Sequence, residues 1–260
     1  LLDMLATQLG SLFSILGLPG SSAVAFVSGA AAGTYAGIAA MMSMPLTMRE
    51  ATILALMIAL CHALPMECAV NSKTGSSFWR MGVIRVVMAI VCAVLLNVLL
   101  PPMPERYMFL GADIGGELSD VVVVWAWSQM KMSVMVFLII YVLMVIQRLM
   151  EVYSLLRPLS LRLAPLMRFC GLPEGAAYMW LVGNVLGVSY GSAVMLELEE
   201  KGVISRKEAN EVNYHLIMNH SLLEDTIVFA ATGIPALLLI AVRMFFAFVL
   251  VWARKLVRRL

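Results

Sequence analysis

The chain has 260 residues, 62% of them hydrophobic and 13% charged, with a net charge of +2. A mean hydropathy of +0.94 excludes a soluble domain of ordinary composition, and the small net charge leaves no nucleic-acid footprint. Cys61, Cys68, Cys92 and Cys170 lack CxxC spacing and lie in or beside apolar segments, so they read as free membrane thiols.

In chain order, an amphipathic stretch (1–16) precedes a small-residue, glycine-rich segment (19–44). A helix with a polar interruption (47–72) and a clean apolar helix (77–100) follow. The loop 101–119 carries Glu105, Asp113 and Glu117, with Asp120 just beyond it, and a further apolar helix spans 121–147. The same series then recurs: an amphipathic stretch (153–170), a glycine-rich segment (173–198), an interrupted helix (204–230) and an apolar helix (233–253). Apolar runs at 81–100, 132–147 and 236–253 approach or reach bilayer-spanning length. The stretch 153–170, with Arg157, Arg162 and Arg168 among Leu, Met and Phe, reads as an interfacial helix. No counterpart of the 121–147 helix precedes the first copy, and no signal-peptide pattern opens the chain at Leu1, so an upstream helix is expected.

The recurrence is visible residue by residue. At an offset of 154, Gly17-Leu18-Pro19 falls on Gly171-Leu172-Pro173, and Gly29, Gly33 and Gly37 fall on Gly183, Gly187 and Gly191. A four-residue insertion near 199–202 moves the offset to 158, where Glu50 falls on Glu208, His62 on His220, Glu67 on Asp225, Thr74-Gly75 on Thr232-Gly233 and Arg85 on Arg243. Matched glycines alone could be chance. Matched His, acid and Arg in one register indicate duplication.

Charge arbitrates topology, because cytoplasmic loops collect Lys and Arg. If both glycine-rich segments are re-entrant hairpins, Lys73, Arg80, Arg148, Arg157, Arg162, Arg168, Lys201, Arg206, Lys207, Arg254, Lys255, Arg258 and Arg259 share one face, against Arg49 and Arg106. That split of thirteen to two becomes nine to six if both are single spans. The hairpin arrangement is therefore expected, with the C-terminus cytoplasmic and three spans (47–72, 77–100, 121–147) between the hairpins. An odd number of spans inverts the second copy. Gly29/Gly33/Gly37 would otherwise read as an ordinary small-xxx-small packing face.

Two polar clusters interrupt apolar helices: Cys61-His62-Ala63-Leu64-Pro65-Met66-Glu67-Cys68 with Asn71, and Asn219-His220-Ser221-Leu222-Leu223-Glu224-Asp225-Thr226. Each ionisable group at such depth costs about 2.5–3.5 kcal/mol to insert, which makes a functional role the working hypothesis. Pro65 removes a backbone donor and is expected to break the first helix. Inverted repeats with discontinuous helices at the midplane form the transporter pattern. Against function stands a structural lock, each His satisfied by its own acid. Arg85 and Arg243 pair with Glu67, Glu224 or Asp225 or hold an anion, with snorkelling as the alternative for Arg85. A divalent metal would draw on His62, Glu67, His220 and Asp225, although residues i and i+5 of a continuous helix point about 140° apart, so only the break would unite His62 with Glu67. There is no nucleotide-binding loop and no Ser/His/Asp arrangement, and an enzyme is not expected.

The order of elements, with CHALPMECAVNSKTG (61–75) and NHSLLEDTIVF (219–229), resembles the nucleoside recognition (Gate) domain family. That family is related to the cores of concentrative nucleoside transporters, the membrane part of bacterial ferrous-iron transporters and spore maturation proteins A and B. The resemblance covers nearly the whole chain. It implies an all-α integral membrane protein of two inverted repeats, each an interfacial helix, re-entrant hairpin, broken helix and straight helix. The divisions would be 1–100 (first repeat), 101–119 (extracytoplasmic loop), 120–152 (linking helix) and 153–260 (second repeat). It places hairpin tips near Ser28-Gly29 and Gly183-Asn184. Substrate or coupling groups would be His62, Glu67, Asn71, Asn184, Asn219, His220, Glu224 and Asp225, with Arg85 and Arg243 beside them. The chain lacks the extra scaffold helices of the nucleoside transporters and the G domain of the iron transporters.

Three functions follow as expectations: a secondary transporter of a small polar solute, nucleoside-like or anionic, coupled to a proton or Na+; a divalent-metal transporter or channel; and a non-transporting envelope partner subunit. A homo-oligomer in the bilayer, in a bacterial cytoplasmic membrane, is expected, with no tightly held cofactor and no nucleic-acid partner.

Overall fold

A computed structural model describes residues 10–107 and 118–257. Residues 1–9 of the first amphipathic stretch, Asp113 and Glu117 of the loop, and Arg258 and Arg259 lie outside it. Among the described residues the chain is helical, without a strand. After a helical segment at 10–15 come α1 (Ser22–Ala32), α2 (Thr34–Met42), α3 (Met48–Cys61), α4 (Leu64–Lys73) and α5 (Phe78–Leu99). Then come α6 (Leu118–Val152), α7 (Leu156–Leu161), α8 (Ala164–Phe169) and a 3-10 turn at Glu174–Ala176. Next follow α9 (Ala177–Val185), α10 (Val188–Glu200), α11 (Arg206–Asn219), α12 (Leu222–Ala231) and α13 (Ala236–Val257). Met48–Lys73, Phe78–Leu99, Ser133–Val152 and Ala236–Val257 are long and apolar enough to cross a membrane.

The glycine-rich segments fold as helical hairpins. A Cβ added to Gly37 would lie 3.1 Å from Gly29 Cα, and one added to Gly191 would lie 2.9 Å from Gly183 Cα. Eight residues along one straight helix would be about 12 Å apart, so the chain reverses between them. Only glycine at both faces lets the arms touch backbone to backbone. The reversals sit at Gly33 (φ 107°) and Gly187 (φ 92°), a conformation glycine adopts without a Cβ clash. This corrects the expected tips: Ser28-Gly29 and Gly183-Asn184 lie inside the first arms, about one helical turn before the turn itself.

Both long helices of the clusters start on a capping box. Thr47 accepts from Glu50 N at 3.3 Å while Glu50 accepts from Thr47 N at 2.7 Å, and Ser205 with Glu208 repeats this at 3.2 and 2.8 Å. The strap 100–107 adds acceptors for α3, with Met48 N donating to Glu105 O at 2.7 Å and Arg49 N to Met103 O at 3.3 Å. Every residue from Ala51 to Cys61 of α3, and from Val212 to Asn219 of α11, is buried. A helix buried all round belongs at the centre of a bundle. Its straight neighbours α5 and α13 bury one side and expose Val, Leu and Phe on the other.

Both buried helices break, and the cause differs from the expected one. Ala63 (φ 45°) and Ser221 (φ 51°) occupy the left-handed region, which costs a non-glycine residue about 1–2 kcal/mol. Pro65 falls at the second position of α4, where its missing N–H has no intrahelical role. The second helix breaks at Ser221 with no proline at all. Each break is clamped by its neighbouring hairpin: Ala63 N donates to Gly29 O at 2.9 Å, and Ser221 N to Gly183 O at 3.0 Å.

The amphipathic stretch 153–170 is two short helices rather than one. Pro165 cannot donate to the preceding turn, and α7 ends before it. α6 runs 35 residues, about 52 Å against a hydrocarbon core of about 30 Å. Its apolar side chains are mostly exposed to the surroundings.

Candidate functional site

The two breaks meet. His62 and His220 are the residues that close α3 and α11, and their Nε2 atoms lie 3.2 Å apart with ring centroids at 5.0 Å. Glu67 bridges both, with Oε1 3.1 Å from His62 Nε2 and Oε2 3.0 Å from His220 Nε2. On a straight helix His62 and Glu67 would diverge; the kink at Ala63 turns the carboxylate back onto the ring. All three side chains are buried, with 5%, 4% and 1% residue exposure for His62, Glu67 and His220.

The tautomers follow from the partners. His62 Nδ1 faces the carbonyls of Ile58 (3.3 Å) and Ala59 (3.2 Å), and His220 Nδ1 faces Leu216 O at 2.8 Å. Carbonyls only accept, so both Nδ1 atoms carry hydrogen and donate. In neutral rings both Nε2 lone pairs then point at each other and at the carboxylate. Three acceptors converge within hydrogen-bonding distance and demand at least one proton, or a cation, between them.

Arg85 and Arg243 complete the centre. Both are fully buried, so Arg85 does not snorkel. Arg85 Nη1 donates to Glu67 and its Nε to Leu60 O at 2.9 Å. Arg243 Nη1 donates to Asp225 Oδ2 at 2.9 Å, its Nε to Met218 O at 3.0 Å and its Nη2 to His220 O at 2.5 Å. The acceptors Leu60 and Met218 are carbonyls that a broken helix leaves without an intrahelical donor. The arginines thus fix the breaks as well as the acids. Two arginines against Glu67 and Asp225 leave the centre neutral when both imidazoles are neutral.

The two halves are not equal. Glu67 reaches both histidines, whereas Asp225, one methylene shorter, stops 3.9 Å from His62. Asp225 instead accepts from Thr34 Oγ1 at 3.1 Å. Next to it, Glu224 leaves the centre and accepts from Tyr35 OH at 2.7 Å. The end of the first hairpin is therefore tied to the second half by two hydrogen bonds. At the offset positions the second hairpin has Val188 and Ser189, facing a stretch where Met66 stands in place of Glu224.

The centre unites His62, Glu67, His220, Asp225, Arg85 and Arg243. Other expected residues lie apart. Asn71 is buried one turn past Glu67, and its carbonyl closes the turn by accepting from Thr74 N and Ser76 N. Asn184 Nδ2 donates to Trp180 O at 2.9 Å in its own arm. Asn219 bonds Met244 Sδ (3.0 Å) and lies 3.2 Å from His215 Nδ1. Thr34, Tyr35 and the Trp180–His215 pair (3.0 Å) are missing from the sequence reading. Thr34 and Tyr35 were signalled by their place directly after Gly33, a glycine that the repeat already singled out.

No family model matches the chain, and no solved structure matches it. It is 26% identical over 260 residues, spanning 97% of this chain and 82% of the relative, to a protein named Uncharacterized membrane protein YvoD, from Bacillus subtilis (strain 168). That likeness and the four apolar helices agree: the chain is an all-α integral membrane protein.

Proposed function

We propose that the protein is a proton-coupled secondary transport core whose exchangeable proton resides in the His62–Glu67–His220 centre. The observation that carries this is the convergence of two Nε2 atoms and a carboxylate at 3.0–3.2 Å in a buried place. A proton shared there satisfies all three acceptors, and its loss leaves them facing one another. The centre joins two broken helices and lies where each hairpin meets its break, so a change in protonation acts on the elements that transporters of this pattern move. The two copies are read as inverted, with hairpins re-entrant and the C-terminus cytoplasmic, on the strength of the charge split and the odd number of intervening spans.

The solute is read as small and polar, and anionic in preference to neutral. With Arg85 and Arg243 balanced by Glu67 and Asp225, one added proton gives the centre a net positive charge, which an anion offsets and a second cation aggravates. The Gate resemblance adds nucleoside-like solutes to the range. Uptake of radiolabelled nucleosides and small organic anions into proteoliposomes, driven by an imposed pH gradient, tests the reading. Wild-type protein accumulates a member of the panel and His220→Ala does not; equal uptake by both would refute the assigned role.

A second reading, passage of a divalent cation, is favoured by one observation: ligand atoms of His62, Glu67 and His220 all lie within 4.8 Å of one another. Donation of each Nδ1–H to a carbonyl is also the habit of metal-binding imidazoles. It ranks second because Arg85 already occupies Glu67 and a divalent charge would add to two buried guanidinium groups. Metal analysis and titration of the purified protein with Mn2+, Fe2+ and Zn2+ separates the two readings.

A further inference from the structure

Away from the centre, a cavity of about 430 Å3 opens between α7, the start of α9 and the far end of α10. Its apolar lining is built from Val194 and Leu198, with the exposed Leu161 at the rim, and its polar lining includes Arg157, Tyr178 and Lys201. Two acids also reach it, but each is already paired: Glu197 with Lys201, and Glu174 with Arg168. The two cations and two acids of the lining balance, but because Arg168 engages Glu174 from outside the lining, Arg157 is left at the rim without an acidic partner among the described residues.

The surroundings place this mouth at a lipid surface. α7 and α8 are only six residues each, yet they and the turn between them expose Leu161 (79%) and Phe169 (67%) together with Arg157, Arg162 and Arg168. Exposed large apolar side chains interleaved with exposed guanidinium groups suit the boundary between acyl chains and headgroups, and neither water nor hydrocarbon alone. α10 forms one arm of a hairpin read as membrane-embedded, and its end supplies Leu198 and Lys201 to the cavity rim.

We propose that this cavity is a binding site for one anionic glycerophospholipid, the phosphodiester held by Arg157 and the Tyr178 hydroxyl and an acyl chain lying along Leu161, Val194 and Leu198. An apolar floor fits a chain and a free phosphate ion does not need one. A guanidinium at the rim with no acidic partner prefers a headgroup carrying net negative charge over a zwitterionic one. The occupant would brace the second hairpin against the amphipathic helices, leaving the buried centre untouched.

The test is native mass spectrometry of the full-length protein released from micelles doped with phosphatidylglycerol or with phosphatidylcholine. The wild type is expected to retain one phosphatidylglycerol per chain in preference to phosphatidylcholine. Arg157→Glu should weaken that retention about tenfold. Arg157→Lys should keep most of it, and Val194→Trp, which fills the floor, should abolish it. Arg157 is exposed, so its variants test binding in a folded protein. Equal retention of both lipids, undiminished retention in Arg157→Glu, or displacement of phosphatidylglycerol by millimolar inorganic phosphate would overturn the proposal.

Discussion

Arg243 is the side chain on which the broken second helix most depends, and a double-mutant cycle with Asp225 measures how. The guanidinium is fully buried and bonds Asp225, Met218 O and His220 O. Asp225→Asn leaves a buried cation without its counter-charge, which costs about 3–5 kcal/mol. Arg243→Met leaves a buried carboxylate instead, and also orphans two carbonyls at about 1–3 kcal/mol each. In the double variant no unpaired charge remains, and only the carbonyl term persists. The double variant is therefore expected to lose at least about 2 kcal/mol less than the sum of the singles. Thermal unfolding in micelles, followed by tryptophan fluorescence, reads this out. At roughly 2–4 °C per kcal/mol for a chain of this size, Asp225→Asn lowers Tm by about 6–20 °C and Arg243→Met by more. Singles that shift Tm by less than about 2 °C, or a double that is additive within about 0.5 kcal/mol, would refute the role given to the pair.

Thr34→Val removes the hydroxyl bonded to Asp225; a loss of about 1.5–3 kcal/mol is expected, and Tm comparison with the wild type checks it. Gly191→Val drives side-chain atoms into Gly183, whose Cα would lie 2.9 Å from even the first carbon; poor yield or aggregation on size-exclusion chromatography is expected, and a wild-type elution profile would contradict the hairpin contact. Thr47→Ala and Ser205→Ala each remove one half of a capping box and should each lower stability by about 1 kcal/mol, measured by the same melting assay. Lys201 beside Glu197 and Arg168 beside Glu174 hold those exposed carboxyls below their usual range. Because the shift is downward, the pairs are complete above the ordinary carboxylate pKa and dissolve as pH falls through the depressed values. Phosphatidylglycerol retention should therefore be flat between about pH 5 and 8 and rise only in stronger acid, where Lys201 is freed.

Much of this fold is written in the sequence because the recurrence prints most of its special positions twice. Gly33 and Gly187, Ala63 and Ser221, and Gly75 and Gly233 carry matching positive φ angles, and the offsets 154 and 158 that pair them can be read from the letters alone. The burial of Arg243, His62 and His220 was legible for the same reason, since charged residues inside apolar runs recur in register, whereas for Arg85 the sequence left snorkelling open. What was not legible is direction. The repeat register matches Asp225 to Glu67, but nothing in it says where the neighbouring Glu224 points; Glu224 leaves the centre and meets Tyr35. Pro65 looked like the helix breaker, but a proline near a helix start breaks nothing. The actual break rests on a left-handed Ala63 held by Gly29 O, a contact between segments that no local pattern announces. The hairpin turns were displaced by four residues because Gly29 and Gly33 are equally glycine, and only the approach of Gly29 to Gly37 decides which one turns.

The most direct test of the proposed proton coupling is solute-driven proton movement in proteoliposomes loaded with a pH-sensitive dye, without an imposed gradient. Adding a transported nucleoside or organic anion outside should acidify the lumen in the wild type, and neither His62→Ala nor His220→Ala should show that acidification. Solute entry without lumenal acidification, or acidification that survives loss of either histidine, would contradict it.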